Sequence, residues 1–132
     1  MDQISELHAA ALAVHKNAHA PYSNYFVGTA ILTKSGRIFA GCNVENAAYP
    51  QGACAEANAI GAMVAAGERE IAAVLSVFAG EPTGTPCGGC RQRIREFAPP
   101  NTPIYSCDST GVRATYTLDE LLPHSFGPDH LH

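Results

Sequence analysis

The chain has 132 residues, 46% of them hydrophobic, and a formal net charge of −4. This length allows one domain with a hydrophobic core, and no apolar stretch approaches the ~18 residues that a membrane span needs. Because Lys and Arg form no broad basic cluster and the first residues do not resemble a basic signal region, neither nucleic acid nor membrane is an expected partner. We expect one soluble, cytoplasmic domain over residues 1–132.

The first half of the chain predicts two helices separated by a hairpin. Apolar residues recur at helical spacing over 4–15, and alternation over 26–33 and 37–42 predicts two strands. The turn between these strands contains Gly36, at the position that needs a positive φ. An alanine-rich segment over 53–66 then predicts a buried helix.

The second half of the chain predicts three strands and two helices. The apolar run over 71–78 is typical of a central strand, and a helix over 87–97 ends before two prolines. Short strands are expected over 103–107 and 112–116, with a short helix over 118–122. From about residue 123 the tail lacks periodicity, so we predict an irregular end.

This order of elements mixes hairpins with helical crossovers. Such an order predicts an α/β fold, in which one mixed sheet of about five strands is covered by helices on its faces.

The cysteines predict a metal site. Their number is five, which fits a disulfide framework poorly in a chain with no secretory signal. Cys87 and Cys90 form a CxxC motif at the start of one predicted helix, and Cys54 lies at the start of another. Helix N-termini stabilise thiolates, so the two helix starts can converge on one ion.

The number of predicted ligands indicates a catalytic metal site rather than a structural one. Three protein ligands that leave a fourth position open are typical of a catalytic zinc, which activates a water molecule. Glu56, two residues after Cys54, is then the natural proton shuttle. The cofactor we predict is one zinc ion per chain.

Two alternatives keep the cysteines in other roles. The CxxC motif is a redox pair in some cytosolic proteins, although that role leaves Cys54 and Glu56 unexplained. A structural zinc would take Cys42 or Cys107 as a fourth ligand, whereas we expect both to be small buried hydrophobic residues in strands.

These motifs resemble the three-cysteine form of the cytidine deaminase family. Cys-Ala-Glu at 54–56 and Pro-Cys-Gly-Gly-Cys-Arg-Gln at 86–92 carry the resemblance. Further matching segments extend it over nearly the whole chain, at 20–25, 27–30, 41–49 and 121–123. The resemblance implies a three-layer α/β/α sandwich and a homotetramer.

The resemblance also implies a reaction. Zinc held by Cys54, Cys87 and Cys90 would activate water for attack on C4 of cytidine or 2'-deoxycytidine in pyrimidine salvage. Glu56 would take the proton of the water, protonate N3 and assist the departure of ammonia, which leaves uridine or 2'-deoxyuridine.

Five further residues are expected to contact the substrate. The resemblance implies that Asn43 and Glu45 bind the sugar, and a carboxylate that accepts from a ribose hydroxyl would repel a phosphate. Ala55 is expected beside the substrate, Tyr25 against the base, and Phe126 in the site of a neighbouring subunit. The alternatives are a strand-end role for Asn43 and Glu45, and core packing for the two aromatic residues.

One position departs from the pattern of the family. Many three-cysteine members carry Arg after the catalytic Glu, where it donates hydrogen bonds to the thiolates, but this chain has Ala57. Two other functions stay open: a deaminase of a modified cytosine nucleoside of the blasticidin type, which also lacks that Arg, and a non-catalytic zinc-stabilised binding module. The sequence does not rank cytidine against deoxycytidine.

Overall fold

The computed structural model describes residues 2–131. Its helices, in chain order, are α1 Gln3–His15, α2 Ala55–Ala65, α3 Gly88–Phe97 and α4 Leu118–Leu121. Its strands are β1 Val27–Thr33, β2 Ile38–Cys42, β3 Ile71–Phe78, β4 Pro103–Asp108 and β5 Gly111–Thr117. Two short 3-10 helices, at Tyr49–Gln51 and Pro128–His130, were not predicted from the sequence because three residues carry no usable periodicity.

The strands form one mixed sheet within residues 2–131, in the order β2-β1-β3-β4-β5. The β3 and β4 strands pair in parallel across the α3 crossover, and the other neighbouring pairs are antiparallel. The hairpin between β1 and β2 turns where expected, with Gly36 at φ 93°.

Helices cover both faces of the sheet. Alternate residues of β3 divide between two apolar clusters: Val74 packs with α2 and α3, whereas Leu75 and Val77 pack with α1. The predicted three-layer α/β/α arrangement with a five-stranded mixed sheet is confirmed. No helix among the described residues has the length and apolar character needed to cross a bilayer.

The α2 and α3 helices begin one or two residues later than predicted. Cys54 and Cys87 have extended backbone and are the N-cap residues, rather than parts of the helices. Neither cap makes a side-chain hydrogen bond to its helix, so both thiols are directed elsewhere. The helix starts shift by only one or two residues, but the shift places both sulfurs at the positive ends of helices.

The position of α2 on the sheet depends on two contacts with β2. A Cβ on Gly41 would lie 2.5 Å from the backbone nitrogen of Ala59, so only glycine permits this approach. The Asn58 side chain donates to the carbonyl of Cys42 over 2.8 Å. Together these contacts fix where the first turn of α2 lies.

The irregular tail is attached to α3. The Arg95 side chain, 7% exposed, donates to Ser125 Oγ at 3.0 Å and to Asp129 Oδ1 at 2.7 Å. Gln92 donates to the carbonyl of Phe126 over 2.8 Å. Residues 1 and 132 of the predicted domain lie outside the described part of the chain.

Candidate active site

Three sulfur atoms converge where α2 and α3 begin. The Sγ atoms of Cys54, Cys87 and Cys90 all lie within 4.8 Å of one another, and those of Cys54 and Cys87 are 3.8 Å apart. Tetrahedral Zn–S bonds of ~2.3 Å separate two sulfurs by about 3.8 Å. The donor atoms and their spacing therefore fit zinc.

The neighbouring cysteines do not join this group. Within residues 2–131, the cluster includes no fourth His, Cys, Asp or Glu. Cys107 is fully buried among apolar side chains, as expected, but Cys42 at the end of β2 is only partly buried, so the prediction for Cys42 was wrong. A closed four-ligand structural site thus has no support in the described residues.

Hydrogen bonding between the thiols favours the thiolate form of Cys54 over that of Cys90. Donation from Cys90 and Cys87 lowers the pKa of Cys54 to about 6, although burial opposes the shift, and the charge of Arg93 adds to it. The pKa of Cys90 is raised because it donates to Cys54 and is buried. A metal ion binds the deprotonated thiols and so releases the remaining protons.

Glu56 lies in the first turn of α2 and is 3% exposed. Its carboxylate accepts a hydrogen bond from Ser76 Oγ on β3 over 3.2 Å, and Ser76 in turn bonds Thr29 of β1 over 2.6 Å. Burial raises the pKa of Glu56. A carboxyl group whose pKa is raised is a better proton acceptor and can return the proton in a later step.

A cavity of about 270 Å³ connects the cysteines with Glu56. This volume is just below the ~300–1,000 Å³ that small-molecule sites occupy. The residues that line it come from the loop before β1 and the start of β1, the segment after β2, the start of α2, the end of β3 and the segment before α3: Ser23, Tyr25, Val27, Asn43, Glu45, Cys54, Ala55, Glu56, Phe78, Thr85 and Cys87.

Asn43 and Glu45 line this cavity but also hold the loop that precedes β1. The Asn43 side chain accepts from the Val27 amide at 2.9 Å and donates to the Tyr25 carbonyl at 2.8 Å. Glu45 accepts from the amides of Tyr22 and Ser23 and from the Ser23 hydroxyl, and these bonds lower its pKa. Asn43 and Glu45 thus have the structural role at the strand end that was the alternative to sugar binding. Their binding of the sugar stays a prediction.

The two aromatic candidates are not core residues. Tyr25 is 41% exposed, with its ring 6.5 Å from that of Phe78 across the cavity, and Ala55 lies buried beside them. Phe126 is 58% exposed, stacks on His130 and does not line the cavity of its own chain. Exposure excludes plain core packing for both aromatic residues within this chain.

Arg91 holds the segment before α3. Its guanidinium donates to the carbonyls of Pro86 and Leu121, each at 2.7 Å, and to Thr85 Oγ1 at 2.9 Å. These bonds fix the backbone that leads into Cys87. Sequence reasoning missed this function, although Arg91 directly follows the CxxC motif.

Comparison with known proteins agrees with this geometry. Residues 1–106 match the family described as "Cytidine and deoxycytidylate deaminase zinc-binding region". A cytidine deaminase of Sporosarcina psychrophila is 37% identical over 97% of this chain and 94% of its own, and one of Halalkalibacterium halodurans is 36% identical over 88% of both chains. The crystal structure of cytidine deaminase from Burkholderia pseudomallei superposes with a TM-score of 0.88 at 38% identity, covering 96% of this chain and all of that one.

The fold and the site together define a zinc-dependent hydrolase, and the prediction of zinc as the cofactor is confirmed. With a family match over residues 1–106 and relatives at 36–38% identity, the chain belongs to the cytidine and deoxycytidylate deaminase family.

Ser76→Ala is expected to lower kcat roughly 10-fold, because a hydrogen bond to a charged group contributes about 1.5–3 kcal/mol and here orients Glu56. Ser106→Ala is the matched control. Ser106 pairs with Ser76 across β3 and β4, is equally buried, and its hydroxyl has no hydrogen-bond partner within residues 2–131. Steady-state kinetics that show equal kcat values for the two variants would remove Ser76 from the account.

Proposed function

We propose that the protein hydrolyses cytidine and 2'-deoxycytidine to uridine and 2'-deoxyuridine, with release of ammonia, as a step of pyrimidine salvage. One observation supports this most directly: Cys54 and Cys87, two of the three converging cysteines, line the same small cavity as the buried carboxyl group of Glu56. Membership of the deaminase family supports the same reaction.

In the proposed reaction, Cys54, Cys87 and Cys90 would hold zinc, which would supply Lewis-acid activation of a water molecule. Glu56 takes one proton from this water while the oxygen attacks C4, and delivers that proton to N3. It then transfers the second proton of the water to the amino group, which leaves as ammonia. The C4 oxygen and the N3 proton of the product both derive from water.

The cavity also supports a free nucleoside as the substrate. Hydrogen bonds from the loop before β1 keep Glu45 ionised at the cavity wall, where it can accept from a ribose hydroxyl and would repel a phosphate. Asn43 positions that loop, and Ala55 leaves room for the base. Tyr25 and Phe78 offer aromatic surfaces to the pyrimidine ring.

The proposal also includes a cytoplasmic location and the absence of nucleic acid as a partner. All five cysteines are unpaired, which supports a reducing compartment such as the cytoplasm. A cavity of about 270 Å³ beside an ionised carboxylate suits a small nucleoside better than a polynucleotide.

A substrate panel tests the proposal. The purified, zinc-loaded protein is assayed by loss of absorbance with cytidine, 2'-deoxycytidine, cytidine 5'-monophosphate and a blasticidin-type nucleoside. We expect the first two to be deaminated with the highest kcat/KM. Preference for the blasticidin-type compound would favour the modified-nucleoside alternative, and a folded, zinc-loaded protein inactive on all four would favour the binding module.

A homotetramer in which Phe126 completes the site of a neighbouring subunit is part of the proposal. The support is an aromatic ring 58% exposed on a tail that Gln92 and Arg95 hold against α3. Apart from its stacking on His130, the ring is therefore presented to solvent at a fixed place.

Phe126→Ala is expected to raise KM for cytidine roughly 10-fold, since an aromatic contact of about 0.5–1.5 kcal/mol and its buried area are lost. Co-expression of Phe126→Ala with inactive Glu56→Gln tests whether the contact crosses between subunits. Mixed tetramers should regain low-KM sites, each combining Glu56 from one subunit with Phe126 from another. Light scattering that shows a fully active monomer would end the tetramer proposal.

A further inference from the structure

We propose that Arg93 is a positioning residue for the zinc site, whose guanidinium donates a hydrogen bond to the Cys90 thiolate and so helps retain the metal. The Arg93 Nη1 atom lies 3.5 Å from Cys90 Sγ, a normal distance for a sulfur acceptor. The proposal rests on the ligand role that the proposed function gives to Cys90.

The geometry of α3 favours this contact. Cys90 and Arg93 are three residues apart on the helix, so both side chains lie on one face. Helical side chains lean toward the N-terminus, which brings the guanidinium back over the first turn. A Cβ on residue 89 would lie 3.3 Å from Arg93 Nη1, so Gly89 leaves open the space beside this group.

The other two arginines of α3 have different partners. Arg91 is bonded to Pro86, Thr85 and Leu121, and Arg95 to the C-terminal tail. Arg93 forms no salt bridge with a carboxylate within residues 2–131, and its side-chain hydrogen bond in that range goes to the sulfur. Its positive charge is therefore directed at the cysteine cluster.

The charge of the site explains why such a donor is needed. Three thiolates around one divalent cation leave a net charge of about −1, which the N-termini of α2 and α3 offset only in part. The side chain of Ala57, directly after Glu56 on α2, has no hydrogen-bond donor. Arg93 reaches the ligand set from α3 and can supply positive charge there.

Zinc dissociation tests the proposal without reference to activity. Substitution of a residue that supports a metal ligand typically weakens metal binding about 10–100-fold. Because Arg93 is exposed, we expect the low end of this range, about 10-fold faster loss of zinc to a chromophoric chelator from Arg93→Met than from the wild type. Arg93→Lys, which keeps the charge but not the planar donor, should give an intermediate rate.

Arg113→Met is the matched control, since it removes an exposed guanidinium that pairs with Asp108 and Glu81 instead of the cysteines. Cobalt substitution gives a second readout. Loss of the hydrogen bond leaves the thiolate more electron-rich, so the sulfur-to-cobalt charge-transfer band of Arg93→Met should move to longer wavelength, with no such shift for Arg113→Met.

Equal zinc dissociation rates for Arg93→Met and the wild type would overturn the proposal, as would an equal acceleration in Arg113→Met. Either result leaves the proposed function intact if the wild type binds zinc and deaminates cytidine. A wild-type protein that binds no zinc would instead remove the proposed function together with this inference.

Discussion

Replacing Glu56 with glutamine is expected to lower kcat for cytidine at least about 10²-fold, while the protein folds and retains its zinc. The amide oxygen of the new side chain can still accept from Ser76 Oγ, so the buried hydrogen-bond chain to Thr29 is kept. What is lost is the carboxyl group that we propose exchanges protons among water, N3 and the departing amine.

This result separates chemistry from metal binding. Steady-state kinetics are measured on Glu56→Gln after metal analysis shows about one zinc per chain, and circular dichroism confirms the fold. Near-normal turnover in such a preparation would require another proton shuttle. A variant that loses zinc would mean that Glu56, whose carboxyl group is within hydrogen-bonding reach of Cys90, also supports the ligands.

Substitution of a single ligand is expected to have an equally large effect through the metal. Cys87→Ala should leave the purified protein with well under one zinc per chain and without measurable deamination, because two thiolates cannot complete the three-ligand site. Cys87 is exposed, so its replacement creates no cavity in the core. Loss of zinc in this variant would therefore not be a consequence of unfolding.

Cys42→Ala is the control for this experiment. Cys42 lies at the end of β2, outside the cluster of three sulfurs, and should keep the wild-type zinc content. Metal analysis by mass spectrometry compares the two variants directly. Full zinc content in Cys87→Ala would contradict the assignment of Cys87 as a ligand.

Much of the fold could be predicted because its signals are local. The 71–78 run of apolar residues has the composition of a strand that is buried on both faces, and β3 has those bounds. Helix starts were less accurate, because an N-cap residue has extended backbone although its neighbours are helical. The turn at Gly36 followed from the φ that only glycine adopts without strain.

The cysteine cluster was also accessible from the sequence, since the ligand types and their placement at helix starts limit the chemistry. The residues that support the site were not. Ser76 meets Thr29 and Glu56 only through the pairing of β1 with β3, a register that separate strand patterns do not specify.

The contacts of charged and amide side chains could likewise not be predicted from the sequence. Arg91 donates to the carbonyl of Pro86 whereas Arg93 donates to Cys90 Sγ, and only the direction of each side chain distinguishes the two arginines. The bonds of Asn43 and Glu45 to the loop before β1 depend on how that loop folds back, which local propensity does not determine.

The most direct test of the account is the zinc-dependent conversion of cytidine by the purified wild-type protein, followed by product identification and ammonia measurement. The account predicts one uridine and one ammonia per cytidine consumed, with activity lost on removal of zinc and restored when zinc is returned. A correctly folded protein that carries one zinc per chain and yet releases no ammonia from cytidine would contradict it.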